Sequence, residues 1–186
     1  HRTLFWEVPT LALISECYYS VLGLIPTDYQ DQIDRIAVKS QILKDGQAHY
    51  ADFGTRRRRC YDIQDLVVRE MRSNPFFVGT SNVHLAHKYQ TKPIGTMSHQ
   101  WIMGCSALES LRHANRYALY QWNNVYKGDL GIALPDTFGM DAFFADFDKQ
   151  LARMFDGVRH DSGDPFEFAD LIVAHYRKLK IDPWTK

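Results

Sequence analysis

From position 49 onward, short apolar segments that read as strands alternate with longer segments that read as helices, and this alternation constrains the fold more than any other feature. The candidate strands cover 49–53, 76–79, 93–97, 130–134 and 157–159. Strands alternating with helices make βα units, whose crossovers align the strands in parallel. The predicted class is therefore α/β, with a parallel sheet either open or closed into a barrel. In either form, ligand groups gather beyond the C-terminal ends of the strands.

The helices are marked by their spacing. Pro9 can occupy the first turn of a helix, where its missing N–H costs nothing, and an apolar segment over 11–22 follows it and ends near Gly23. A second helix is predicted from Asp28, with Ile33, Ile36, Ala37 and Leu43 at helical spacing, up to the stop at Lys44-Asp45-Gly46. Further on, Met140, Phe143, Phe144, Phe147, Leu151 and Met154 make one apolar stripe. The last helix runs from Pro165 to about Leu179, with Phe166, Ala169, Val173 and Tyr176 on one face. The chain begins at His1, close to the apolar Leu4-Phe5-Trp6 and with no Met, so we read it as a piece of a longer protein.

Composition narrows the class of partner. With 45% hydrophobic residues, 186 residues can bury a real core. Lys plus Arg equals Asp plus Glu at 22 each, so no overall field draws the chain to nucleic acid or an anionic membrane. No apolar run approaches the roughly 20 residues of a membrane span, and no signal-peptide pattern opens the chain. Cys17, Cys60 and Cys105 are odd in number and without a C-x-x-C pair, which argues against a disulfide framework and for the reducing cytoplasm.

The residues that follow the candidate strands are polar and ligand-capable: Gly54-Thr55-Arg56-Arg57, Thr80-Ser81-Asn82, Ser98-His99, Asp136-Thr137 and His160-Asp161-Ser162-Gly163-Asp164. At Thr80-Ser81 and Ser162-Gly163, hydroxyls and glycines precede helix starts, where free N–H groups and the positive dipole end favour anions. Two readings fit Ser81 and Asp164, an anion site or simple N-capping, the latter strengthened for Asp164 by Pro165. The arginines at 56–59 could neutralise nucleic-acid phosphates, but they follow a buried-looking strand and lack interleaved aromatics; a solvated turn, or an arginine gripping a carboxylate or phosphate, fits better. His84 and His87 stand three apart on a predicted helix without an acidic or thiol partner, so surface or packing roles suit them better than a metal. His99 stands apart because it directly follows a strand.

Six segments, taken in order, resemble the nicotinate phosphoribosyltransferase family. They are Ala51-Asp52-Phe53-Gly54-Thr55-Arg56-Arg57-Arg58, Phe77-Val78-Gly79-Thr80-Ser81-Asn82, Lys92-Pro93-Ile94-Gly95-Thr96-Met97-Ser98-His99, Gly128-Asp129-Leu130-Gly131-Ile132-Ala133-Leu134, Asp136-Thr137-Phe138-Gly139-Met140-Asp141, and Gly157-Val158-Arg159-His160-Asp161-Ser162-Gly163-Asp164. The resemblance implies part of an irregular α/β barrel of the type II phosphoribosyltransferase kind. Residues 1–46 would be a helical entry segment from an N-terminal domain, and 47–186 a partial barrel. It also implies an enzyme of NAD biosynthesis that joins nicotinate to phosphoribosyl pyrophosphate with ATP, using Mg²⁺, as a cytoplasmic homodimer when complete, with no nucleic acid or membrane partner.

The same resemblance implies roles. His99 matches the histidine phosphorylated by ATP, although Ser98 and Gln100 stand where many members carry Ala and Glu. Phe53 matches an aromatic stacked on the pyridine ring, Arg56 an arginine beside substrate phosphate or carboxylate, and Thr96 a residue of the nicotinate site. Arg159 matches an arginine facing the pyridine carboxylate and Asp161 an acceptor for ribose hydroxyls, with Thr80, Asp136, Ser162 and Gly163 completing the substrate-binding set. No protein metal ligand is expected. Ser81 stands where the related nicotinamide enzymes carry aspartate, which favours nicotinate, because aspartate would repel a carboxylate.

Overall fold

The computed structural model describes residues 4–186, so the first three residues of the expected entry segment 1–46 lie outside it. The chain divides into two compact units, one ending at Gly95 and the other beginning at Thr96. Each carries one small parallel sheet.

In the first unit, helices α1 (Leu4–Val21) and α2 (Gln30–Asp45) precede strand β1 (Tyr50–Asp52). Pro9 lies inside α1 rather than in its first turn. It cannot donate to the Phe5 carbonyl, but both residues are exposed, so solvent can satisfy that oxygen. After β1 come a 3-10 turn (Thr55–Arg57), helix α3 (Tyr61–Met71), strand β2 (Phe77–Thr80) and helix α4 (Val83–Tyr89). This is the expected βαβ unit, with β1 and β2 parallel and Asp52 opposite Thr80. Its core joins Ile36 of α2 to Leu66 and Met71 of α3, with Tyr50 and Phe77 packed against them.

The segment 93–97 does not form the expected strand. Only Pro93 bridges, to Thr80, with Ile94 donating to the Thr80 carbonyl at 2.9 Å. Proline has no N–H to extend a ladder. Close approach here depends on Gly79, whose φ is +145° and whose missing Cβ would collide with the Lys92 carbonyl.

The second unit contains α5 (His99–Leu108), α6 (Ala114–Tyr126), β3 (Ile132–Ala133), α7 (Met140–Asp146), α8 (Lys149–Met154), β4 (Gly157–Val158) and α9 (Pro165–Lys178). Strands β3 and β4 pair in parallel. The stripe from Met140 to Met154 spans two helices, not one, because Asp148 turns its side chain onto the N–H groups of Gln150 and Leu151 and starts α8 afresh. Both helices still bury Phe143 and Leu151 in one core with Phe147, Phe155, Ile102 and Leu119. In α9 the buried face is Ile172, His175 and Tyr176, whereas Phe166 is exposed; its sequence stripe is thus displaced by about one position. His175 is held in this core by a 2.8 Å bond to the Phe147 carbonyl. Among the described residues no helix is long and apolar enough to cross a membrane, and the three cysteines are unpaired.

Candidate active site

The polar segments expected beyond the strands form a separate cluster in each unit. In the second unit, Ser98 caps α5 and leaves His99 as its first residue. Asp136 and Thr137 follow β3, and the 159–164 segment follows β4, ending at Asp164, which caps α9 through bonds to Phe166 and Glu167 N–H.

These three chain segments converge on the imidazole of His99. Its Nδ1 lies 2.9 Å from Thr137 Oγ1, and its Nε2 lies 3.1 Å from Asp161 Oδ2 and 3.9 Å from Asp136 Oδ1. A carboxylate can only accept, so in the neutral ring the proton sits on Nε2 toward Asp161, and the Nδ1 lone pair faces the Thr137 hydroxyl. Arg159 fixes the far side of Asp161: its Nη2 is 3.2 Å from Asp161 Oδ1, while Nη1 donates to Thr96 Oγ1 at 3.1 Å and to the Met97 carbonyl at 3.0 Å. The hydrogen bond from His99, and the Arg159 guanidinium, hold the Asp161 carboxyl below the usual range despite some burial. Ser162 donates to Asp136 Oδ2 at 2.6 Å.

Two atoms in this cluster are buried without a hydrogen-bond partner, Asp136 Oδ1 and Arg159 Nε. Beside Asp136 a cavity of about 280 Å³ is also lined by Asp161, Ser162 and Gly163, with Met140 and Phe168 as its apolar side. Oxygen or nitrogen atoms of His99, Asp136 and Asp161 also lie within 4.8 Å of one another, the spacing of a possible metal site. His84 instead meets the Tyr61 hydroxyl at 3.0 Å, and neither it nor His87 belongs to a possible metal group among the described residues.

In the first unit, Phe53 is half exposed and Arg56 is exposed, 3.4 Å from Glu7 of α1. Thr80 is fully buried and donates to Asp52 Oδ2 at 2.7 Å. Ser81 is half-buried, its N–H bonded to the Asp52 carbonyl, and it is not the N-cap of α4; Asn82 is, through a 3.1 Å bond from Leu85 N–H. Capping explains Asp164 but not Ser81.

Of the residues picked from sequence, His99, Arg159, Asp161 and Thr96 share one bonded cluster, with the Asp136–Ser162 pair 3.9 Å from His99; Phe53 and Arg56 follow β1, Thr80 ends β2 and Ser81 follows it. Sequence reasoning placed Thr137 among the ligand-capable residues after the strands but gave it no role of its own. It missed Gln64, whose helical position gave no signal.

Comparisons with known proteins agree in substance. Residues 48–186 match the nicotinate phosphoribosyltransferase (NAPRTase) family. The chain is 46% identical over 203 residues to a nicotinate phosphoribosyltransferase of Methanosarcina acetivorans and 50% identical over 189 residues to one of Chromohalobacter salexigens. It is matched over its full length in both cases and covers 50% and 48% of those proteins. The crystal structure of the Porphyromonas gingivalis nicotinate phosphoribosyltransferase superposes with a TM-score of 0.93 at 39% identity, over 98% of this chain and 47% of that one. The Vibrio cholerae structure of that name gives 0.86 at 37%, over 99% of this chain and 46% of that one. The chain thus spans about half the length of the curated relatives it matches.

Proposed function

Because the chain belongs to the nicotinate phosphoribosyltransferase family, we propose that the complete protein joins nicotinate to the anomeric carbon of phosphoribosyl pyrophosphate in NAD biosynthesis. ATP and water are consumed, and nicotinate mononucleotide, pyrophosphate, ADP and phosphate are released. The observation that carries this reading is His99, held between the Thr137 hydroxyl and Asp161, which is itself fixed by Arg159.

With the proton kept on Nε2 by Asp161, the Nδ1 lone pair attacks the γ-phosphorus of ATP once the Thr137 hydroxyl turns aside, and ADP leaves. The resulting phosphoramidate is labile enough to be hydrolysed in each turnover. Glycosyl transfer through an oxocarbenium-like state needs the pyridine nitrogen held in line with the departing pyrophosphate. Arg159 faces the nicotinate carboxylate and Thr96 lies beside it, while Phe53 stacks on the ring and Arg56 meets substrate phosphate or carboxylate. Ser81 completes the pyridine side, with Thr80 buried behind it. Ser81 can donate to a carboxylate, whereas aspartate in its place would repel one, so nicotinate is the substrate rather than nicotinamide. Asp161 accepts from ribose hydroxyls, and Asp136, Ser162 and Gly163 bound the phosphosugar.

The donors present fit Mg²⁺, a hard cation that takes carboxylate oxygens: Asp136, with its unpartnered Oδ1, and Asp161 would hold it together with substrate phosphate oxygens. When bound, the cation neutralises charge on the departing pyrophosphate. In the complete protein the parallel strands close into an irregular α/β barrel of the type II phosphoribosyltransferase kind. Residues 47–186 supply part of it, residues 1–46 lead in from an N-terminal domain, and the enzyme works as a cytoplasmic homodimer.

The test is direct. The complete protein incubated with γ-labelled ATP is expected to take up acid-labile, base-stable label, and the His99→Ala variant to take up none. Label surviving in that variant would overturn the assignment.

A further inference from the structure

A second polar network, wholly within the first unit, lies beneath the segments that follow β1 and β2. Its hub is Gln64, in the first turns of α3 and only 3% exposed. The amide nitrogen donates to Asp52 Oδ2 at 2.8 Å and to Thr55 Oγ1 at 2.8 Å. The amide oxygen accepts from Arg58 Nη1 at 3.1 Å and from Asn82 Nδ2 at 3.3 Å. All four bonding positions of the side chain are therefore used.

The orientation of this amide is fixed by charge. Its donor end points at the Asp52 carboxylate and its acceptor end at the Arg58 guanidinium, so a flipped amide would meet repulsion at both ends. Arg58 is in turn steadied by Glu16 at 3.7 Å and by the Tyr61 ring, 5.4 Å from its centroid. Asp52 also accepts from Gly54 N–H at 2.9 Å and from Thr80 Oγ1 at 2.7 Å. A Cβ at Gly54 would come within 2.9 Å of that carboxylate, so a side chain there would have to displace it. Gln64 thus touches both chain segments, through Asp52 and Thr55 on one side and Asn82 on the other. Phe53 and Arg56 belong to the first of these segments, and Ser81 to the second.

We propose that Gln64 is a positioning residue, whose amide locks the segment bearing Phe53 and Arg56 to the segment bearing Ser81 and so sets the affinity for nicotinate. This rests on the reading that those segments bind the pyridine substrate. Gln64 itself touches no substrate. Its four bonds act on residues adjacent to the substrate groups, so loss of the amide loosens ring stacking and the Ser81 contact together while leaving the His99 cluster chemically intact.

The experiment compares the complete protein with Gln64→Leu, which removes all four bonds, and Gln64→Glu, which keeps the shape but sets oxygen against Asp52. In both, the KM for nicotinate should rise about tenfold or more, as expected for loss of buried hydrogen bonds. The amount of acid-labile label taken from ATP should stay within about twofold, a split that general loosening does not give. Thermal unfolding identifies the folded variants, and Gln64→Glu serves if Gln64→Leu does not fold. An unchanged nicotinate KM in a folded variant, or a proportional fall in every kinetic parameter, overturns the proposal. A Ser81→Asp control separates the two layers. If it raises the nicotinate KM while the Gln64 variants do not, only the positioning role falls; if it too leaves that KM unchanged, the substrate assignment falls and the positioning role with it.

Discussion

Asp52 and Asp136 are carboxylates near the C-terminal ends of strands, one in each unit, and their surroundings differ in kind. Asp52 accepts three hydrogen bonds, from a backbone N–H, a hydroxyl and an amide. Asp136 accepts one from Ser162 on Oδ2 and keeps Oδ1 buried without any. A buried acceptor left unmade costs about 1–3 kcal/mol, so the second arrangement persists at a cost to stability. The contrast separates two tasks. The network around Asp52 spends its bonding capacity on holding loops, and the cluster around His99 keeps capacity in reserve for a ligand.

The contrast can be broken or sharpened by substitution in the complete protein. The largest effect is expected at Arg159. Replacement by Lys loses the fork that spans Asp161, Thr96 and the Met97 carbonyl, and kcat/KM should drop by about 100-fold or more with little change in unfolding midpoint. Equal losses of activity and stability would contradict the division. On the other side, Gly79→Ala forces a Cβ toward the Lys92 carbonyl at a φ that side chains rarely adopt. Urea unfolding should show a loss of about 3 kcal/mol or more. A smaller change is expected at Thr137→Val, which removes the hydroxyl from His99 Nδ1 but keeps the shape. Because that bond orients the ring before attack, labelling by ATP should slow about tenfold while the melting temperature holds.

The smallest effect concerns pH. Asp161 has its pKa lowered from 3.8, so the stability it lends is fully present above that value and fades as pH falls through the lowered one. An Asp161→Asn variant should differ in stability from the parent at neutral pH by a small margin, since the side chain is 40% exposed, and the two should converge as the pH falls through the lowered pKa. A gap that persists in acid would mean that Asp161 acts through packing.

Sequence made the local rules legible. Asp164 followed by Pro165 starts α9 as a capping residue before a proline should, and β1, β2 and β4 lie within a residue or so of their expected places, because cap chemistry and short apolar runs are local signals. Periodicity failed where two helices share one core. Phe143 and Leu151 keep the helical interval across the Phe147-Asp148 break, so only the acid at 148 hinted at a new start. The strand expected over 93–97 failed because its single bridge depends on what Thr80 offers, which the segment does not encode. In the site, residue types after the expected strands pointed to His99, Asp136 and Asp161, and the family resemblance added Arg159. Their mutual bonds, and the part played by Thr137 and Gln64, depend on where loops far apart in the chain meet.

The segment after β4 has one more consequence. It is pinned at its start by the bond from Arg159 N–H to the Ala133 carbonyl and at its end by the Asp164 cap, leaving only 160–163 between two fixed points. One inserted residue would leave both anchors and the core intact yet swing Asp161 away from His99. The length of this loop is thus fixed by its two anchors, and natural insertions are expected elsewhere on the surface.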